Sequence, residues 1–158
     1  MLGTTRGRVR VLITAALDII GRHFAAENAH DIEATLKTYT DEIVWDDVTH
    51  PGSPFRGKRA VAEAYGGILQ AIPDIHLQSV SRFACADHVV DESIVTGHVV
   101  GEFAGIAGGG APVSFRLLHV FDLRDGLIDR ENAWFDSAAV RRQVEDFHQS
   151  LTPSLKEE

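Results

Sequence analysis

The chain has 158 residues, 44% of them hydrophobic and 24% charged, with a formal net charge of −8. That length holds one domain with a substantial core and leaves no room for a second full one, and the composition is that of a globular chain, not a disordered, collagenous or membrane one. A net negative chain lacks the clustered Lys and Arg that a phosphate backbone needs, so neither nucleic acid nor a membrane is expected as a partner.

The opening stretch TTRGRVRVLITAALDII places basic residues before an apolar run, as a signal peptide does, but Asp18 and Arg22 interrupt it. Leu12, Ala16, Ile19, Ile20 and Phe24 recur at helical spacing, which predicts an amphipathic helix from about Val9 to Ala26 and a cytoplasmic protein. A second short helix, IEATLKTY, follows with Asp31 as its cap. EIVWDD reads as a strand, THPGSPFRG as a loop, and KRAVAEAYGGILQAI as a helix ended by Pro73.

From there the texture turns to β. IHLQSVSRFA, HVVDESIVTGHVVGEF, APVSFRLLHVFDL and LIDRENAWF are separated by turn signals, and four strands in succession predict an antiparallel meander. SAAVRRQVEDFHQSL restores a helix, and residues 151–158 read as a frayed tail behind a single domain over 1–150. The glycines at 108–110 read as a flexible hairpin tip, since no Lys or helix follows to make a phosphate loop. The lone Cys85 cannot form an intramolecular disulfide and reads as a small buried hydrophobe.

Period-two alternation puts Phe115, Leu117, His119 and Phe121 on one face of their strand, and Asp129, Glu131, Ala133 and Phe135 on one face of the next. The tight turn at Arg124-Asp125-Gly126 makes the two strands antiparallel partners, so Glu131 is a carboxylate able to reach His119 across the sheet. In VWDDVTH, Ile43, Trp45 and Asp47 point one way and Val44, Asp46 and Val48 the other, so only one aspartate enters a cavity from a regular strand. Both also suit the start of the turn toward Pro51. The eight histidines show no i, i+4 pair and no His-x-His, so no metal is expected, with Asp46 and a distant histidine the one assembly left open.

The stretch GHVVGEFAGIAGGGAPVSFRLLHVFDLRDGLIDRENAWFDSAAVRRQV carries Gly101, Phe103, Gly105, His119, Asp125-Gly126, Ile128, Trp134, Asp136 and Gln143 in order. It resembles the C-terminal half of the SnoaL-like polyketide cyclases, within the nuclear-transport-factor-like, ketosteroid isomerase-like superfamily. Two helices, a strand with a polar end and the helix start Gly57 to Ala60 fit the N-terminal half. The resemblance implies an α+β, cone-shaped fold, a strongly bent antiparallel sheet wrapped by N-terminal helices around an apolar pocket.

In the cyclases an aspartate on the last long strand, assisted by a histidine on the preceding one, serves an intramolecular aldol condensation. His119 matches that histidine, and the acid position falls on Ala133. Limonene-epoxide-hydrolase-like relatives need an aspartate at the same place, together with an upstream Arg-x-Asp. Ketosteroid-isomerase-like relatives place their base on the early strand, matching Asp46 first and Asp47 second, with the proton donor at His119.

The resemblance therefore implies cofactor-independent acid/base chemistry on a hydrophobic carbonyl compound: cyclisation, isomerisation or dehydration. Asp46 is the expected base, His119 the donor, Glu131 a replacement for the missing acid and Asp47 the second candidate. Tyr39, Trp45, Phe103, Phe115, Leu117, Phe121 and Trp134 are the expected pocket walls. No cofactor is implied, and the expected partners are a hydrophobic small molecule and a second copy, since members commonly pair through the open sheet face. The alternative, favoured by Ala133, is a non-catalytic ligand-binding or dimerisation module.

Overall fold

The computed structural model describes residues 3–151, so the expectation of a frayed tail falls almost wholly outside the described residues. Its elements are α1 (Gly3–Asn28), α2 (Ile32–Lys37), β1 (Tyr39–Asp47), β2 (Phe55–Arg56), α3 (Gly57–Ala71), β3 (His76–Ala84), β4 (His88–Val99), β5 (Glu102–Phe103), β6 (Ile106–Ala107), β7 (Ala111–Arg124), β8 (Leu127–Phe135) and α4 (Ser137–Leu151). No helix among them is long and apolar enough to cross a membrane.

Six strands form one strongly curved sheet in the order β2-β1-β8-β7-β4-β3. The expected meander is its larger part: β3 with β4, β4 with β7 and β7 with β8 all pair antiparallel. The predicted strand at 88–103 is interrupted after Val99, and β5 with β6 makes a separate small hairpin before β7. β1 departs from the antiparallel expectation, because it lies parallel to β8, with Trp45 beside Glu131 and Asp47 beside Ala133.

Helix α1 presents Ala16, Ile19, Ile20, His23 and Phe24 to the sheet, the i, i+3, i+4 pattern of one buried face. Helix α2 begins where expected, with Asp31 Oδ1 accepting from the Ala34 amide at 2.9 Å. It ends earlier than predicted, and Tyr39 opens β1 instead. Helix α3 buries Val61 and Tyr65, and α4 buries Val140 and Val144. These helices cover the concave face of the sheet and leave the convex face open.

Two loop expectations are corrected. The glycine run is a packed crossing rather than a flexible tip: the Gly108 amide donates to Gly101 O and the Gly110 amide to Val99 O, each at 2.8 Å. A Cβ on Gly108 would lie 2.0 Å from Val99 O, so only glycine allows the approach. Cys85 is exposed at the β3–β4 turn, its Sγ 3.5 Å from His88 O, because the strand ends one residue before it.

Candidate active site

The concave face holds an inner cavity whose envelope is about 730 Å³, counting its open mouth. Trp45 from β1, Tyr65 and Ile68 from α3, Phe103, Phe115 and Leu117, and Phe135 from β8 wall it with apolar surface. Phe135 stacks on Phe103 at 5.5 Å between ring centroids and packs on Phe115 at 5.0 Å. The polar groups lining it are Glu27, His30, Thr35, Asp47, His119 and Glu131. A wider outer groove shares Trp45, Asp47, Ile68, Phe103 and Phe135 with this cavity, and adds Thr49, His50, Glu63, Glu102 and Arg141.

Glu131 is the hub. It is 1% exposed, with Tyr39 Oη donating to Oε2 at 2.5 Å and Trp45 Nε1 donating to Oε1 at 3.0 Å. His23 Nε2 lies 3.3 Å from Oε2, and His119 Nε2 lies 3.6 Å from Oε1. The expected reach from Glu131 to His119 across the β7–β8 pair is thus present as a contact, with no hydrogen bond between them.

Behind the hub, His23 Nε2 is also 3.4 Å from Glu27 Oε1, and Tyr65 Oη donates to that oxygen. The two tyrosine hydroxyls meet at 2.9 Å. Thr38 gives its own hydroxyl proton to Thr35 O at 2.6 Å, so its oxygen accepts from His23 Nδ1 at 2.9 Å. That fixes a proton on Nδ1 and turns Nε2 toward two carboxylates.

The electrostatics follow from this closure. Burial disfavours a charge on His23, but Glu27 and Glu131 outweigh it and raise its pKa to about 10. Burial likewise opposes ionisation of Glu131, and the His23 charge, with His119 and Tyr39, reverses that and holds its pKa well below the usual carboxylate range. Burial and the neighbouring carboxylates push both tyrosines well above their ordinary value. Glu131 is therefore held as the anion beside His23. His23, Glu27 and Glu131 also place one metal-ligating atom each within 4.8 Å of one another, and the exposed Cys85, Asp87 and His88 do the same. In the first cluster the protonated His23 supplies one positive charge against the two carboxylates.

Alternation along β1 separates the two aspartates as predicted, but the cavity receives the other one. Asp47 follows Ile43 and Trp45 inward and is 8% exposed, with Thr49 donating its amide and hydroxyl to Oδ1. Asp46 faces the opposite side, where Ser53 donates to Oδ1 at 2.6 Å and Arg130 to Oδ2 at 3.3 Å. It does not line the cavity.

Three residues align across the sheet: Asp47 on β1 is the register partner of Ala133 on β8, which is the partner of His119 on β7. All three line the cavity. With neighbouring strands about 4.8 Å apart, the outer two backbones stand about 10 Å from one another, and the methyl group of Ala133 leaves the space between them open. His119 is nearly sealed, tilted against Phe24 and stacked on Phe121, and its Nδ1 has no hydrogen-bond partner.

Among the expected walls, Trp45, Phe103, Phe115 and Leu117 line the cavity. Tyr39 stands behind Glu131, and Phe121 lies fully buried under His119, so neither is a wall. Trp134 is on the convex face, 40% exposed, because alternation on β8 sends it away from Glu131 and Ala133. Sequence reasoning missed His23, Glu27 and Tyr65. The available signal was a histidine and a glutamate four apart on the very helix face that carries Ala16, Ile19 and Ile20.

A curved sheet with helices over an apolar cavity defines a cone-fold protein. Residues 20–131 match the SnoaL-like domain, and the chain belongs to that family. Solved structures repeat the fold. A candidate polyketide cyclase from Xanthomonas campestris pv. campestris is 20% identical with a TM-score of 0.77, covering 84% of this chain and 98% of its own. A candidate SnoaL-like polyketide cyclase from Jannaschia sp. CCS1 is 19% identical with a TM-score of 0.77, covering 90% and 96%. An NTF2-like protein of unknown function from Burkholderia pseudomallei K96243 is 14% identical with a TM-score of 0.72, covering 82% and 97%. No curated protein matches the chain.

Proposed function

We propose that the protein is a SnoaL-like enzyme that moves a proton on a hydrophobic carbonyl compound, without a cofactor, in an aldol-type cyclisation, an isomerisation or a dehydration. The observation that carries this reading is the Asp47–Ala133–His119 row, which sets a carboxylate and an imidazole on one wall of the apolar cavity with only a methyl group between them. Asp47 Oδ2 accepts none of the Thr49 hydrogen bonds and is the base for a proton next to the carbonyl. His119, with Nε2 3.6 Å from Glu131 Oε1 and no hydrogen-bond partner on Nδ1, is the donor to the oxygen on which negative charge develops.

The test is exchange of α-protons in heavy water, followed by NMR over a panel of apolar ketones. Exchange catalysed by the wild-type protein and lost about 100-fold in Asp47→Asn and in His119→Ala is the expected result. Binding without exchange overturns it in favour of a non-catalytic binding module, the reading that an alanine at the acid position of the cyclases favours.

The partner expected from the family, a second copy, is read here on the convex sheet face. Phe83, Leu118 and Trp134 are each at least 40% exposed there, and Leu118 and Trp134 are register partners. Sedimentation of wild type against Trp134→Glu tests it, a dimer giving way to a monomer being the expected outcome.

A further inference from the structure

We infer that the inner cavity selects a hydrophobic ammonium ion, so that the carbonyl compound it takes also carries a protonated amine; this rests on the reading of the cavity as a small-molecule site. Three carboxylates line it, those of Glu27, Asp47 and Glu131, and no Lys or Arg does. Among the described residues no Lys or Arg forms an ion pair with any of the three. The one histidinium that the electrostatics place beside them is the buried His23, and His30, which also lines the cavity, has its Nε2 on the Ile75 carbonyl oxygen at 2.8 Å. A carboxylate ligand would add to the imbalance, and an ammonium ligand reduces it.

The imbalance has a physical address. Glu27 is 7% exposed at its side chain, and its Oε1 is taken by Tyr65 and approached by His23. Its Oε2 is buried and has no hydrogen-bond partner. A buried carboxylate oxygen left unmatched is costly, and an N–H donor arriving with a ligand relieves that cost. Asp47, at the junction of cavity and groove, likewise accepts only neutral donors, both from Thr49. The walls suit the same guest, since Trp45, Tyr65, Phe103, Phe115 and Phe135 line the cavity, and aromatic rings attract a cation while sheltering its apolar body.

The approach is biased the same way. In the outer groove Asp47, Glu63 and Glu102 outnumber the single Arg141, and the whole chain carries −8. Cations are therefore enriched at the mouth and anions repelled, an effect that salt weakens.

A matched trio of probes tests this by NMR titration: 2-phenylethylamine, 2-phenylethanol and phenylacetate. The amine is expected to bind at least tenfold tighter than the alcohol, and phenylacetate more weakly than either. Glu27→Gln and Asp47→Asn should each shrink the amine preference while leaving the alcohol's affinity within about twofold, which also shows that each variant retains its fold. Equal affinity for amine and alcohol, a preference for phenylacetate, or no binding of any probe overturns the inference. Failure of the proton-transfer reading registers separately, as absent α-proton exchange in a protein that still prefers the amine.

Discussion

His23 and Glu131 stand 3.3 Å apart, neither in contact with solvent, and each sets the charge of the other. His23 titrates near 6.5 when unfolded and near about 10 when folded, so its contribution to stability is complete below pH 6.5 and fades as pH rises toward 10. Glu131 starts from 4.5 and is held at about 2, so its contribution is complete above pH 4.5 and fades as pH falls toward 2. The pair therefore supports the fold most between these limits. Urea unfolding across the range should show both limbs, and Glu131→Gln, which strands a buried histidinium beside Glu27 alone, should cost about 3–5 kcal/mol and flatten the acid limb.

The two adjacent aspartates should behave as different residues. Asp47→Asn abolishes α-proton exchange, whereas Asp46→Asn, on the opposite face with Ser53 and Arg130, changes the rate by no more than about twofold.

Ala133→Leu fills the slot between Asp47 and His119. Overpacking of this kind costs about 1–3 kcal/mol in a closed core and less beside an open cavity. A drop in ligand affinity of about tenfold or more, with a small change in melting temperature, is the expected pattern by calorimetry and thermal unfolding.

Gly108→Ala forces a methyl into the Val99 carbonyl, a backbone group with no freedom to move aside. A loss of about 2 kcal/mol or more in chemical denaturation is expected, whereas a substitution at exposed Gly7, with open space around its Cα, should be close to neutral.

Much of this was legible in residue order because strand alternation is a local property. It set Leu117 and His119, and Glu131, Ala133 and Phe135, on the cavity side correctly. On β1 the same alternation separated Asp46 from Asp47, and the companions Ile43 and Trp45 already marked which side was inward; matching by family position chose the other. His23 and Glu27 share the apolar face of α1, where a polar pair reads as a blemish until the tertiary fold brings Glu131 alongside. The parallel union of β1 with β8 leaves no local trace at all, since it depends on hydrogen bonds between segments far apart in the chain.

That union also orders events during folding. β3, β4, β7 and β8 can pair through neighbours and short connections, but β1 finds its only long partner after nearly the whole chain exists. Tyr39, Trp45 and Asp47 ride on that late strand, so a nascent chain that stops before Leu127 pairs His119 with Asp91 on β4 but lacks Ala133 on its other side and Asp47 beyond it. The meeting of Asp47 and His119 on one cavity wall waits for the last strand to be made, and a partly synthesised chain lacks the wall that β8 supplies.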